Sequence, residues 1–303
     1  MNDLVQNSET SYIANRLKSF SESVRSLPGI RKKDDSALLA SNIVQSVYKY
    51  ETRQDSLNKY ALNPINNEFD PLKLAVYHLR QNNRMEAWWL VFLSCWFEYN
   101  DKDGWKLLQA IYFRLGENVN WDWQRVVYDC EEFGQWLINR QPDIGKLGRM
   151  GGRHKQPAFD NHQAIKTKEV LCYFINWWKL NHEEVIEDSR LKAGASPKVF
   201  FRNMYNYVFS GLNIDRYLYY RFLTCASFLN LADMEPDQPF IANGSFYKKT
   251  VRGLFQEKNG KELPVKDLTQ CIVEMAEWLN IPFPFLVLED ALSKYFLQKQ
   301  SDR

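Results

Sequence analysis

A chain of 303 residues is long enough for one large domain or two lobes, and for a full core that needs no metal or disulfide to hold it. Hydrophobic residues at 45%, charged residues at 25% and only 13 Gly and 11 Pro exclude collagen-like, low-complexity and disordered chains. The 39 Lys and Arg against 37 Asp and Glu leave a net charge of +2, too little for a global field that holds a polyanion, so any nucleic-acid footprint must be local.

From the N-terminus, Met1 to Ser11 is polar and carries no secretory signal pattern. Helical periodicity predicts helices over 10–26, 36–52, 71–80 and 84–99. The longest apolar stretch, Ala87 to Phe97, has a glutamate at each flank and is about half the roughly 20 residues of a membrane span. The expectation is a soluble cytoplasmic protein with no membrane partner. Trp105, Leu108, Ile111 and Leu115 repeat at helical steps and stop at Gly116, a residue suited to the left-handed end of a helix. A helix follows over 129–139 and another over 164–181. Ser196-Pro197 supplies a cap and a first-turn proline for a helix running to Gly211, and Ile214, Leu218, Phe222, Cys225 and Leu229 mark the next. Helices over 266–279 and 285–298 close the chain, separated by the Ile281-Pro-Phe-Pro break.

Sustained strand alternation is missing, so the sequence predicts an all-α, two-lobed fold. The reading divides it into an N-terminal helical segment 1–60, a core 61–260 and C-terminal helices 261–303 that pack on the core. The irregular stretches are 54–69, 140–163 and 232–247. The second of these, Gly-rich and basic, reads as a hinge or ligand loop between the lobes. Five cysteines at 95, 130, 172, 225 and 271, with no C-x-x-C pair, read as buried thiols in a reducing compartment.

Chemistry concentrates in Lys146-Leu-Gly-Arg-Met-Gly-Gly-Arg-His-Lys155. Backbone amides exposed at glycines, beside Lys146, Arg149, Arg153, His154 and Lys155, suit a phosphate. It lacks the P-loop pattern and follows no strand, and a solvated basic loop has the same composition. Lys248, Lys249 and Arg252 form a second basic set on one helix face. The acid–base candidates are Asp122, between two tryptophans, Asp160 near His162, and Asp215 in a first helical turn, although an Asp there is commonly a cap. The four histidines lie far apart and none has ligand spacing with a cysteine, so no metal site is predicted. The Trp88-Trp89 and Trp177-Trp178 pairs read as core.

A longer pattern adds to this reading. Phe69-Asp-Pro-Leu-Lys73, Glu86-Ala-Trp-Trp-Leu-Val-Phe-Leu93, Gly104-Trp105, Tyr112-Phe-Arg-Leu-Gly116 and Trp121-Asp-Trp123, with Leu27-Pro-Gly-Ile30, the loop at 151–155 and Leu231-Ala-Asp-Met-Glu-Pro236, together resemble the α-glutamyl/putrescinyl thymine pyrophosphorylase family, clade 3. The resemblance implies a relative of the helix-hairpin-helix DNA glycosylases. By that analogy the chain excises a bulky modified pyrimidine, glucosylated hydroxymethylcytosine for instance, from double-stranded phage DNA in anti-phage defence, leaving abasic sites without a cofactor.

Where the family carries an acid within a Phe-Asp-Tyr-Leu stretch, the ungapped fit places Arg221, and Asp215 lies six residues upstream. Leu27-Pro-Gly-Ile30 lacks the second hairpin glycine and reads as a turn. The resulting expectation is Asp215 as the catalytic carboxylate, with Asp122 and His154 in support. DNA is expected to be held by Lys146, Arg149, Gly151, Gly152, Arg153 and Lys155 and by Lys248, Lys249 and Arg252. The alternatives are a transferase or pyrophosphorylase that hypermodifies hydroxymethylpyrimidines in DNA, and a non-catalytic helical DNA-binding module.

Overall fold

The computed structural model describes residues 3–30, 32–60, 69–152, 158–211, 215–256, 260 and 262–301. Among these the fold is all-α, with no strand. The chain divides into two compact units, Met1–Asp55 with Pro236–Arg303, and Ser56–Glu235. The sequence reading treats the N-terminal and C-terminal helices as separate segments, whereas in the structure they share one unit.

The first unit contains α1 (Asp3–Ser23), most of α2 (Lys33–Tyr60), α12 (Phe246–Phe255), α13 (Val265–Leu279) and α14 (Pro284–Ser301). Its core gathers Phe20, Ile43, Val251, Ile272, Met275 and Leu288, residues from both ends of the sequence brought together by burial of apolar surface. The turn at 27–30 is closed by Ile30 N–H donating to Leu27 O, and Gly29 N–H donates across to Leu254 O at 3.0 Å. A β-carbon at 29 would run into the backbone of Gly253 and Leu254, so glycine permits this approach. Arg25 and Glu274 pair at 2.7 Å, and Trp278 Nε1 donates to Arg16 O at 2.9 Å.

The second unit contains α3 (Pro71–Arg80), α4 (Arg84–Phe97), α5 (Lys106–Tyr112), α6 (Trp123–Tyr128), α7 (Cys130–Asn139), α8 (Gln141–Leu147), α9 (Asn161–Ala193), α10 (Pro197–Gly211) and α11 (Arg216–Phe228). Every residue of α4 from Glu86 to Phe97 is buried, as a helix apolar on all faces must be. Around it, the Phe92 and Phe174 rings stack at 3.6 Å, Phe222 meets Phe92 edge-on at 5.4 Å, and Trp88 lies 5.3 Å from Trp178. The tryptophan pairs differ in part from the core reading: Trp88, Trp89 and Trp178 are buried, and Trp177 is half-buried.

The stretch 140–163 lies wholly inside the second unit and therefore does not join the two units. Its beginning is helix α8, and it packs back on the end of α4. Cys130 and Cys172 are joined by a disulfide rather than being thiols. The side-by-side packing of α7 and α9 brings residues 42 apart in sequence to a Cα separation of 5.7 Å. Cys95, Cys225 and Cys271 form no disulfide among the described residues. Among the described residues no single helix is long and apolar enough to cross a membrane.

Candidate functional site

The apolar run of α4 stops at Phe97 because Glu98 takes φ 53°, ψ 154° while its N–H still donates to Ser94 O. The chain leaves the helix in a direction that buries the Glu98 carboxylate, leaving the residue 8% exposed. There it forms an ion pair with the Arg221 guanidinium, on α11. The arginine offsets the cost of taking the carboxylate out of water and fixes its rotamer. One turn further along α11, Cys225 meets Cys95 of α4, whose thiol is pushed well up by burial and by its bond to Cys225. The ends of α4 and α11 are thus joined by an ion pair and a thiol contact.

The glycine segment covers this junction. Beyond α8, Gly148 is extended. Arg149 Nε donates to Asp103 Oδ2 at 2.7 Å, and this bond holds the Asp103 carboxyl below the ordinary aspartate range. Met150 is fully buried and its carbonyl accepts from Asn100 Nδ2 at 3.0 Å. Gly151 N–H donates to Phe97 O at 2.8 Å, one of the last carbonyls of α4. A β-carbon at 151 would collide with the backbone carbonyls of Glu98 and Tyr99, and Gly152 adopts φ +54° directly over the Glu98 carboxylate. Tyr99 stands beside them, 54% exposed, its ring edge-on to Trp105 at 5.6 Å. The arrangement is a nearly buried, ion-paired carboxylate under a glycine turn, next to an exposed aromatic ring and two basic side chains.

Of the residues expected from the sequence, Arg149, Gly151, Gly152 and Arg221 meet here. Lys146 is near them in the chain, its side chain 76% exposed and 3.7 Å from Asp143. Arg153, His154 and Lys155 lie outside the described residues. Asp215 is exposed and caps α11, its Oδ1 accepting from Tyr217 N–H at 2.7 Å and Leu218 N–H at 3.3 Å. Asp122 caps α6 through Arg125 N–H, and Asp160 caps α9 through Gln163 N–H. Lys248, Lys249 and Arg252 are on α12 in the first unit. Lys248 Nζ donates to Asn243 Oδ1 and Arg252 pairs with Glu262.

Glu98 is the residue that the sequence reading overlooks. Its signal lay in the glutamates flanking the apolar run: both are buried. Glu86, at the other end of α4 and 2% exposed, accepts from Tyr112 Oη at 2.7 Å and Trp123 N–H at 2.5 Å. Burial pushes its carboxyl up to about 7 against those two bonds, and Asp122 nearby adds to the rise. Among the described residues no group of three His, Cys, Asp or Glu side chains converges on a metal position.

No curated protein and no solved structure matches the chain. A family described as alpha-glutamyl/putrescinyl thymine pyrophosphorylase, clade 3, matches residues 34–303.

Proposed function

The chain belongs to that pyrophosphorylase family, clade 3, and from this premise we propose that it hydrolyses the N-glycosidic bond of a bulky modified pyrimidine in double-stranded DNA, releasing the base in defence against phage. Glu98 is the catalytic carboxylate. The supporting observation is its pairing with Arg221: from the end of α4, Glu98 sets a carboxylate against the α11 residue that stands at the family's acid position in the ungapped sequence fit. Asp215 is displaced from that position. Six residues along a helix amount to about 9 Å and roughly 240° of rotation, so an upstream Asp faces another side of α11.

The chemistry follows from the groups present. A base inside the duplex is out of reach, so the nucleotide swings out at a cost of a few kcal/mol in stacking. Tyr99 offers a stacking surface, while Lys146 and Arg149 hold phosphate. As the C1′–N bond breaks, its electron pair leaves with the base, which takes up a proton, and positive charge grows on the sugar. Glu98 stabilises that charge and receives a proton from the water that adds to C1′, and this is the proton that passes on to the base, which returns Glu98 to its carboxylate form. Arg221 acts through Glu98 by holding its rotamer.

The family's name favours one further reading, displacement of diphosphate from an activated hydroxymethylpyrimidine. Incubation of the protein with glucosylated, hydroxymethylated, activated and plain DNA separates the two. Free base with alkali-labile strands supports excision, and diphosphate released from activated DNA alone overturns it. Glu98→Gln should cost around 10²- to 10³-fold in excision rate, with folding retained because Arg221 is one-third exposed. If Asp215→Asn shows that loss and Glu98→Gln does not, the carboxylate is Asp215.

A further inference from the structure

Away from Glu98, the second unit holds a cleft of about 390 Å³ between the start of α4, the last turn of α9, the start of α10 and the turn at 232–233. That volume falls in the range of small-ligand pockets. Three exposed charged residues line it, Arg84, Arg190 and Asp233, and none pairs with another. Arg190 and Asp233 have no ion-pair or side-chain hydrogen-bond partner among the described residues. Arg84 donates from Nη2 to Leu231 O at 2.6 Å, which fixes the guanidinium at the cleft and leaves its remaining N–H groups available. A cation in the first turn of α4 opposes the helix dipole, so helix electrostatics does not account for Arg84. The buried Phe200 adds an apolar patch to the wall.

We infer that this cleft binds a phosphorylated sugar, independently of the reading of Glu98. Two guanidiniums, one pinned and one free, match the oxygens of a phosphate, which arginine forks engage in pairs. An unpaired carboxylate across the same cleft would repel a bare phosphate, yet it accepts hydrogen bonds from sugar hydroxyls. Together the three charges select a ligand that carries both groups. The shared chemistry has two sources, a free sugar phosphate and the sugar–phosphate backbone of DNA.

Calorimetric titration of the whole protein with ribose 5-phosphate, inorganic phosphate and a short DNA duplex tests this. Ribose 5-phosphate should bind more tightly than phosphate, Arg190→Ala should weaken it at least tenfold, and Asp233→Asn should remove the preference for the sugar while strengthening phosphate binding. If only the duplex binds and Arg190→Ala weakens it by a similar factor, the backbone is the source. The proposal is overturned if no probe binds, or if binding is indifferent to Arg190→Ala. Arg190 is exposed, so that variant folds, and an unchanged melting temperature checks it.

Discussion

Glu98 Oε2 stands where a β-carbon on residue 152 would be, so the carboxylate can hold this position only over a glycine. Residue 151 differs, since there the obstacle is backbone rather than a side chain.

Gly152→Ala should therefore displace Glu98 from Arg221 and remove most excision activity, with a stability loss of about 1–2 kcal/mol from the left-handed backbone. Gly151→Ala should instead act on folding, because the carbonyls of Glu98 and Tyr99 can retreat only if the end of α4 moves. Comparing melting temperature with excision rate for the two variants checks the distinction. Equal losses of both properties in both variants would refute it.

Lys146 should touch phosphate. On that reading Lys146→Ala lowers the slope of log affinity against log salt by about 0.9. Asp103→Asn should do the reverse of a loss, since it removes a negative charge beside the segment and releases the Arg149 guanidinium. Binding to a short duplex at several salt concentrations reads both effects, and an unaltered slope in Lys146→Ala would place that side chain away from the DNA.

Glu86 makes stability depend on pH. Its carboxyl is raised in the folded protein, from 4.5 to about 7, so the folded state favours the protonated form. The contribution is complete below about 4.5 and is lost as pH rises through about 7, by roughly 3 kcal/mol on the basis of about 1.4 kcal/mol per unit. Glu86→Gln reproduces the neutral form: its amide oxygen accepts from Trp123 N–H and its NH₂ donates to Tyr112 Oη. Denaturant melts between pH 5 and 8 should show a flatter profile for the variant and equal or greater stability at pH 8.

The Cys130–Cys172 disulfide closes a loop with a separation of 42 residues. The chain-entropy relation assigns such a loop about 4 kcal/mol at 25 °C. Reductant or Cys130→Ser should lower the melting temperature accordingly, and reductant should add nothing further to the variant. A melting temperature indifferent to reductant in the parent protein would count against this linkage.

Much of the helical framework is legible in the sequence for identifiable reasons. Asp70-Pro71 announces the start of α3, and the Asp70 carboxylate caps Leu72 and Lys73. Ser196 Oγ accepts from Val199 N–H as its position predicts, whereas α5 ends at Tyr112 and the backbone turns left-handed at Arg114 and Leu115, before the stop at Gly116 that the periodicity predicts. Helices α6 and α8 are not legible, because at 6 and 7 residues they are under two turns and show no period. The site is half legible: its glycines and Arg149 stand out by composition, whereas Glu98 gains meaning only through its pairing with Arg221 on α11. Local caps explain Asp122, Asp160 and Asp215, and each of these signals is as strong in sequence as a catalytic one.

The second unit is one uninterrupted stretch, Ser56–Glu235, while the first is assembled from the two ends of the chain. During synthesis the stretch that bears Glu98, Arg221 and the disulfide cysteines emerges complete before α12–α14 exist, so it is able to fold on the ribosome as a unit. The partners of α1 and α2 arrive last. Until then Phe20 and Ile43 lack the core side chains they pack against at maturity. The nascent chain therefore carries an unsatisfied apolar surface on α1 and α2 until α12–α14 have been made, and chaperone binding during translation should concentrate there.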